Sequence, residues 1–162
     1  MRFRKRRKRR LKLMALDYYL VIQDINNEIE PAIVLESLSQ AFSLQKNQIS
    51  AFLIGVGVTI NAFKEDDEDS LFGSPYPEIC VAFRIDKFEH YESGINTMLK
   101  IVIWLMSYFN GNMIFLLNEQ KIFQRMSSQL SLNNDSEFWS PAELSVPSQS
   151  FQPTRVATSV RL

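Results

Sequence analysis

The chain has 162 residues, 46% of them apolar and 22% charged, the proportions of one globular domain with a real core. Its single cysteine, Cys80, excludes an intramolecular disulfide and suits a reducing compartment, and no stretch approaches the roughly 18 consecutive apolar residues of a membrane span. The formal net charge of +0 conceals segregation: nine of the 18 basic residues lie within 1–12, so the other nine face all 18 acids and the body carries about −9.

Residues 1–13 are a block of like charge, which self-repels and is expected to be disordered. Three readings of this arm stay open: a nucleic-acid or anionic-surface arm, a solvated tail without a role, or a stretch outside the native protein, since Met14-Ala15-Leu16 makes a plausible start. The block lacks the aromatic interleaving of single-strand binders. It is no secretory signal either, because Lys12 and Asp17 interrupt the apolar run that would have to come next.

Residues 16–23 read as a first strand, with Leu16, Tyr18, Leu20 and Ile22 on one face and Asp17, Tyr19, Val21 and Gln23 on the other. Asn26-Asn27 punctuates, and Pro31 sits where the first turn of a helix tolerates proline. Val34, Leu35, Leu38, Ala41 and Phe42 recur at spacings of three and four, predicting an amphipathic helix that ends near Leu44. Residues 49–63 read as one extended stretch. Gly55 and Gly57 share a face there, which predicts a bulge, a bend or the close approach of a helix. Their spacing is not that of a phosphate-binding loop.

Glu65, Asp66, Asp67, Glu68 and Asp69 form an acidic run, followed by Ser70, Gly73, Ser74, Pro75 and Pro77. This is a loop. A calcium loop would need its glycine earlier. The run is either a solvated connection or a contact surface for a basic partner, and these five residues are the candidate site.

Residues 79–85 read as a central strand, because Ile79, Val81, Phe83 and Ile85 line one face while Cys80 and Ala82 keep the other largely apolar. Asp86 with Glu89 three residues later predicts a capping box. A helix from Lys87 to Phe109 would come next, roughly 34 Å long, with a stripe of Phe88, Tyr91, Ile95, Met98, Leu99, Val102, Leu105, Met106 and Phe109. Gly94 within it costs about 1 kcal/mol of helix propensity against alanine, for which close packing on the sheet would be a reason. Asn110-Gly111 ends the helix. Residues 113–117 are apolar on both faces and therefore internal. Asn118-Glu119 separates them from a last strand over 120–126. Residues 127–162 are rich in Ser, Asn, Gln and Pro; Phe138-Trp139 would tack this stretch onto the body, and residues 140–162 are expected to be a disordered tail.

The element order is β-α-β-β-α-β-β. It predicts an α+β fold, an antiparallel sheet of about five strands with two helices on one face, over a single domain from 14 to 139.

Catalytic chemistry finds little support. His90 is the only histidine, Cys80 has no metal-site companion, and no nucleophile elbow or nucleotide fingerprint is present. Asp86 and Glu89 are accounted for by capping, and Trp104 and Trp139 read as core or anchoring groups. No catalytic, cofactor or metal residue is assigned, and a binding role is favoured by elimination.

The segment Val81-Ala82-Phe83-Arg84-Ile85-Asp86-Lys87-Phe88-Glu89-His90-Tyr91-Glu92-Ser93-Gly94-Ile95 resembles the Sit-type immunity proteins. These protect bacteria against toxins of the swarming-inhibition system, a form of kin discrimination. Met14-Ala15-Leu16-Asp17-Tyr18, Ile114-Phe115-Leu116-Leu117-Asn118-Glu119 and Phe138-Trp139 resemble the family too, so the likeness runs from about 14 to 139. It implies a cytoplasmic protein, not an enzyme and without cofactors, that binds one cognate toxin and neutralises it stoichiometrically. The family carries no catalytic residues to transfer. The alternative is a nucleic-acid-associated factor that uses residues 1–12.

Overall fold

The computed structural model describes residues 15–65, 70–73, 75–118, 120–133 and 153–156. The elements are β1 (Ala15–Gln23), α1 (Pro31–Phe42), β2 (Gln45–Lys46), β3 (Leu53–Gly55), β4 (Val58–Glu65), β5 (Glu78–Asp86), α2 (Tyr91–Tyr108), β6 (Met113–Leu117), β7 (Gln120–Met126), β8 (Gln129–Asn133) and β9 (Pro153–Val156). One sheet contains all the strands among the described residues, in the order β2-β3-β4-β5-β1-β6-β7-β8-β9. β1 to β8 pair antiparallel, and β9 joins β8 in parallel.

The α+β class and the two helices on one face are as the sequence implies. The strand count is not: eight antiparallel strands replace the expected five or so. Three elements account for the difference. The stretch 49–63 is a hairpin rather than one extended segment, since Gly55 pairs with Val58 around Val56-Gly57, and Gly57 takes φ +76. β2 is a two-residue edge pairing on β3. β8 lies in the polar stretch after residue 126, inside the expected domain but read without a strand, where Leu130 and Leu132 alternate with Gln129, Ser131 and Asn133, and both leucines are buried. Ser127-Ser128 joins it to β7 with φ +51 and +65, two left-handed residues in a hairpin turn that sequences more commonly mark with Asn-Gly. Residues 1–14 and most of the tail lie outside the described residues.

The predicted internal strands are internal. β5 lies between β4 and β1, and β6 between β1 and β7. The register aligns Tyr18 with Phe83 and Leu117, and Leu20 with Val81 and Phe115. These rows face the helices and form the main core with Leu35 and Leu38 of α1 and Met98, Ile101, Val102 and Leu105 of α2. Tyr18, Phe115 and Phe123 carry the aromatic packing across three strands, with centroids 5.8 Å and 5.5 Å apart. Burial also raises the Tyr18 hydroxyl pKa. A smaller cluster occupies the opposite face: Tyr19, Val21, Cys80, Ala82, Ile114 and Leu116, with Phe63, Leu71 and Phe72 packed on it. Hence β1 is buried on both faces, Cys80 with it.

The start of α2 differs from the capping-box expectation. Asp86 Oδ1 accepts hydrogen bonds from the N–H groups of Phe88 (2.8 Å) and Glu89 (3.1 Å), but these close a turn ahead of the helix. The helix begins at Tyr91, and His90 occupies the N-cap position at φ +58 without a side-chain bond. Phe88 is consequently exposed rather than part of the stripe.

The delay brings Gly94 onto the β3–β4 hairpin. An added Cβ at Gly94 would meet the Gly57 carbonyl inside the 3.0 Å that real Cβ contacts keep, and one at Gly57 would meet the His90 carbonyl. Gly57 O also accepts the Asp86 N–H at 3.1 Å. Two glycines therefore let helix and hairpin touch backbone to backbone, which is the close approach their positions imply.

The other end of α2 is held from β7. The buried Arg125 guanidinium donates to the carbonyl oxygens of Met106 (2.6 Å), Gly111 (3.0 and 2.8 Å) and Phe109. A cation at a helix C-terminus meets the negative end of the dipole and satisfies carbonyls that the helix cannot. Burial pushes the Arg125 pKa down to about 10, and the carbonyl bonds favour the charged form, so the group is a cation at neutral pH.

Candidate partner-binding surface

The candidate acidic run starts at the end of the sheet where β1 ends and β5 begins. Glu65 closes β4, half-buried, directly opposite Glu78. Asp66, Asp67, Glu68 and Asp69 lie outside the described residues. The base of their loop is well held. The buried Glu78 carboxylate accepts the Ser70 hydroxyl and, at 2.9 Å, the Leu71 N–H. Leu71 and Phe72 then fold onto the second face of the sheet. The structure thus fixes where this run leaves and rejoins the body.

Other residues singled out in the sequence are not brought together. Asp86 serves the turn before α2, and the N–H groups that bind its carboxylate hold its pKa below the usual value. Glu89 donates its backbone N–H there. His90 sits at the helix start, and Cys80 is buried in the opposite-face cluster. Among the described residues, no group of three or more His, Cys, Asp or Glu side chains could hold a metal ion.

The same end of the sheet carries a feature the sequence did not reveal. A cleft of about 520 Å³ opens between the β1–α1 connection and the last turn of α2. Trp104 and Tyr108, four residues apart on α2, stack with centroids 4.9 Å apart at 14°. Phe42 and Phe109 extend the ladder by edge contacts. Tyr108 is 59% exposed, and Ile25 and Ile33 supply exposed apolar walls. Asp24, Glu28 and Glu30 also line the cleft, which holds no Lys, Arg or His among the described residues.

Asp24 joins cleft and loop. Its carboxylate accepts the N–H groups of Glu28 (3.1 Å) and Ile29 (2.9 Å), shaping one cleft wall. Its own N–H donates to Pro77 O at 2.8 Å, where the acidic loop returns to β5. Glu30 lies 3.7 Å from Lys64 of β4, whereas Glu28 makes no ion pair among the described residues. The i, i+4 spacing of Trp104 and Tyr108 was visible in the sequence. Trp104 read as a core or anchoring group, and Tyr108 was not singled out, because both lie beside the stripe and their exposure depends on where α1 packs.

A family model described as SitI3-like matches residues 18–143. The chain belongs to the SitI3-like family. The match begins within β1 and takes in both helices, the acidic run and the cleft. Residues 1–12 fall outside it, as does β9. No curated protein and no solved structure matches the chain. This SitI3-like protein has, among its described residues, no helix long and apolar enough to cross a membrane.

Proposed function

We propose that this chain is an immunity protein. It binds a cognate bacterial toxin in the cytoplasm and neutralises it by forming a stoichiometric complex, as part of a polymorphic toxin system used in kin discrimination. Membership of the SitI3-like family carries this reading. The protein performs no chemistry of its own in this account. It contributes a rigid surface, held at the loop base by Glu78 and between loop and cleft by Asp24.

The body's charge of about −9 supplies long-range attraction for a basic partner. Against a nuclease, whose substrate cleft is basic, the acidic run Glu65 to Asp69 would take the place of the nucleic-acid backbone. Mixing the purified full chain with a candidate toxin, sought first in the adjoining coding region, tests this reading. A 1:1 complex by light scattering, with loss of toxin activity at equimolar ratio, is expected. Full toxin activity at a tenfold excess of the chain would refute it.

A second reading rests on the nine cations within residues 1–12, which suit a nucleic-acid-associated factor. Salt-dependent nucleic-acid binding by the full chain, lost when the chain is shortened to begin at Met14, would support it. Absence of binding by the full chain would remove it.

A further inference from the structure

We propose that the cleft between α1 and the end of α2 receives an arginine side chain of the partner protein. The inference rests on the toxin-binding reading for the partner's identity, but the chemistry of the pocket comes from the cleft itself.

Three observations converge. First, Trp104 and Tyr108 present a stacked pair of rings, and Tyr108 is open to solvent. A guanidinium lies flat on such a face through cation–π attraction and planar stacking. Second, every charged residue in the lining is an acid, and Glu28 makes no ion pair, among the described residues. Two cations near it among the described residues are already engaged. Lys64 contacts Glu30 at 3.7 Å, and Arg125 lies behind the α2 terminus, bound to the carbonyls of Met106, Phe109 and Gly111. Third, Ile25 and Ile33 leave apolar surface along the mouth, where the methylene stem of a long basic side chain packs while its head reaches the carboxylate. A volume of about 520 Å³ holds one such side chain with its flanking backbone.

Arginine suits the site better than lysine. Its planar fork stacks on an aromatic ring and pairs with a carboxylate at the same time, whereas an ammonium is a compact, strongly hydrated point charge. Asp24 lines the cleft and bonds Pro77, where the chain re-enters β5 after the acidic run, so one basic partner surface would meet both. The loop would then act at long range and the cleft at contact.

The test is titration of the isotopically labelled full chain, followed by NMR, with three blocked tripeptides: glycine-arginine-glycine, the citrulline analogue and the leucine analogue. Citrulline keeps the shape of arginine and removes the charge. The arginine peptide should shift the amides of Glu28, Ile33 and Tyr108, with the citrulline and leucine peptides several-fold weaker. Tyr108→Ala and Glu28→Gln, both at exposed positions, should each weaken arginine-peptide binding about three- to fivefold. Equal binding of all three peptides, shifts only elsewhere on the surface, or no shifts at all would overturn the proposal.

The toxin separates this inference from the immunity reading. If the unaltered chain neutralises the toxin and both variants do so with unchanged affinity, the arginine pocket is refuted and the immunity reading stands. If the unaltered chain fails to neutralise it, the immunity reading falls, and the peptide titration still decides the chemistry of the cleft.

Discussion

Replacing Gly94 by alanine sets two effects against each other. In a helix interior alanine is better than glycine by about 1 kcal/mol, so an uncrowded site would gain stability. Here the new methyl would enter the Gly57 carbonyl, a backbone group at a hairpin turn held at φ +76. Backbone cannot rotate away as a long side chain can, so α2 and the β3–β4 hairpin would have to separate. The Gly57 carbonyl also accepts the Asp86 N–H, and that bond would lengthen with any shift. Ile95 and Met98, buried in the helix-facing core, would lose packing against the sheet. Overpacking of this kind costs about 1–3 kcal/mol, and a contact with fixed backbone falls toward the upper end. With the helix gain subtracted, Gly94→Ala should destabilise by about 2 kcal/mol. For a chain of this length that lowers the melting temperature by about 4–8 °C. Thermal unfolding followed by circular dichroism reads the change directly. A variant as stable as the parent, or more so, would refute the backbone contact between Gly57 and Gly94.

Three more outcomes are expected from other parts of the molecule. Arg125→Lys keeps the charge but loses the fork that reaches three carbonyls, so it should cost about 2 kcal/mol and lower the urea midpoint by about 1 M; an unchanged midpoint would contradict the α2 anchor. The folded-state pKa of Asp86 is depressed, so its contribution is present above the ordinary value of 3.8 and lost as pH falls through the lowered one. The stability difference between the parent and Asp86→Asn should therefore shrink as pH falls below 3.8 in a urea titration series, and a difference constant across that range would count against the turn's carboxylate. Neutralising Glu65, Asp66, Asp67, Glu68 and Asp69 together should slow toxin association about tenfold at low salt and flatten its salt dependence, as measured by stopped flow; unchanged association rates would sink the steering role of the loop.

Period was the readable signal for the scaffold. Alternation grouped Tyr18, Leu20 and Ile22 on one face of β1 and Phe83, Val81 and Ile79 on one face of β5, which the structure pairs on the helix-facing side, and low polarity on both faces marked β5 and β6 as internal. Gly57 and Gly94 announced a close approach, although not that they approach each other. Local turns hid the rest. Val56-Gly57 divides what reads as one strand, and Ser127-Ser128 carries two left-handed residues without the glycine that would flag a hairpin. Asp86 and Glu89 have capping-box spacing, yet the helix starts only at Tyr91, because Asp86 spends its carboxylate on the preceding turn.

The acidic run was legible as composition, and its anchoring by Glu78 and Asp24 was not. Nor was the cleft. Ile33, Glu28, Trp104 and Tyr108 come from segments some 70 residues apart, and no local pattern joins them. In α2 the stripe that builds the core continues into the cleft, so hydrophobic period alone cannot separate packing from exposure. Position at the open end of the helix makes that distinction.

The central claim is that this chain neutralises a toxin by binding it. The decisive assay is growth of a bacterium expressing the candidate toxin, with and without the full chain. The account predicts arrest with the toxin alone and growth restored by co-expression, through a complex with a dissociation constant of about 10⁻⁹ M or tighter. Continued arrest while the chain is present, folded and in excess would contradict it.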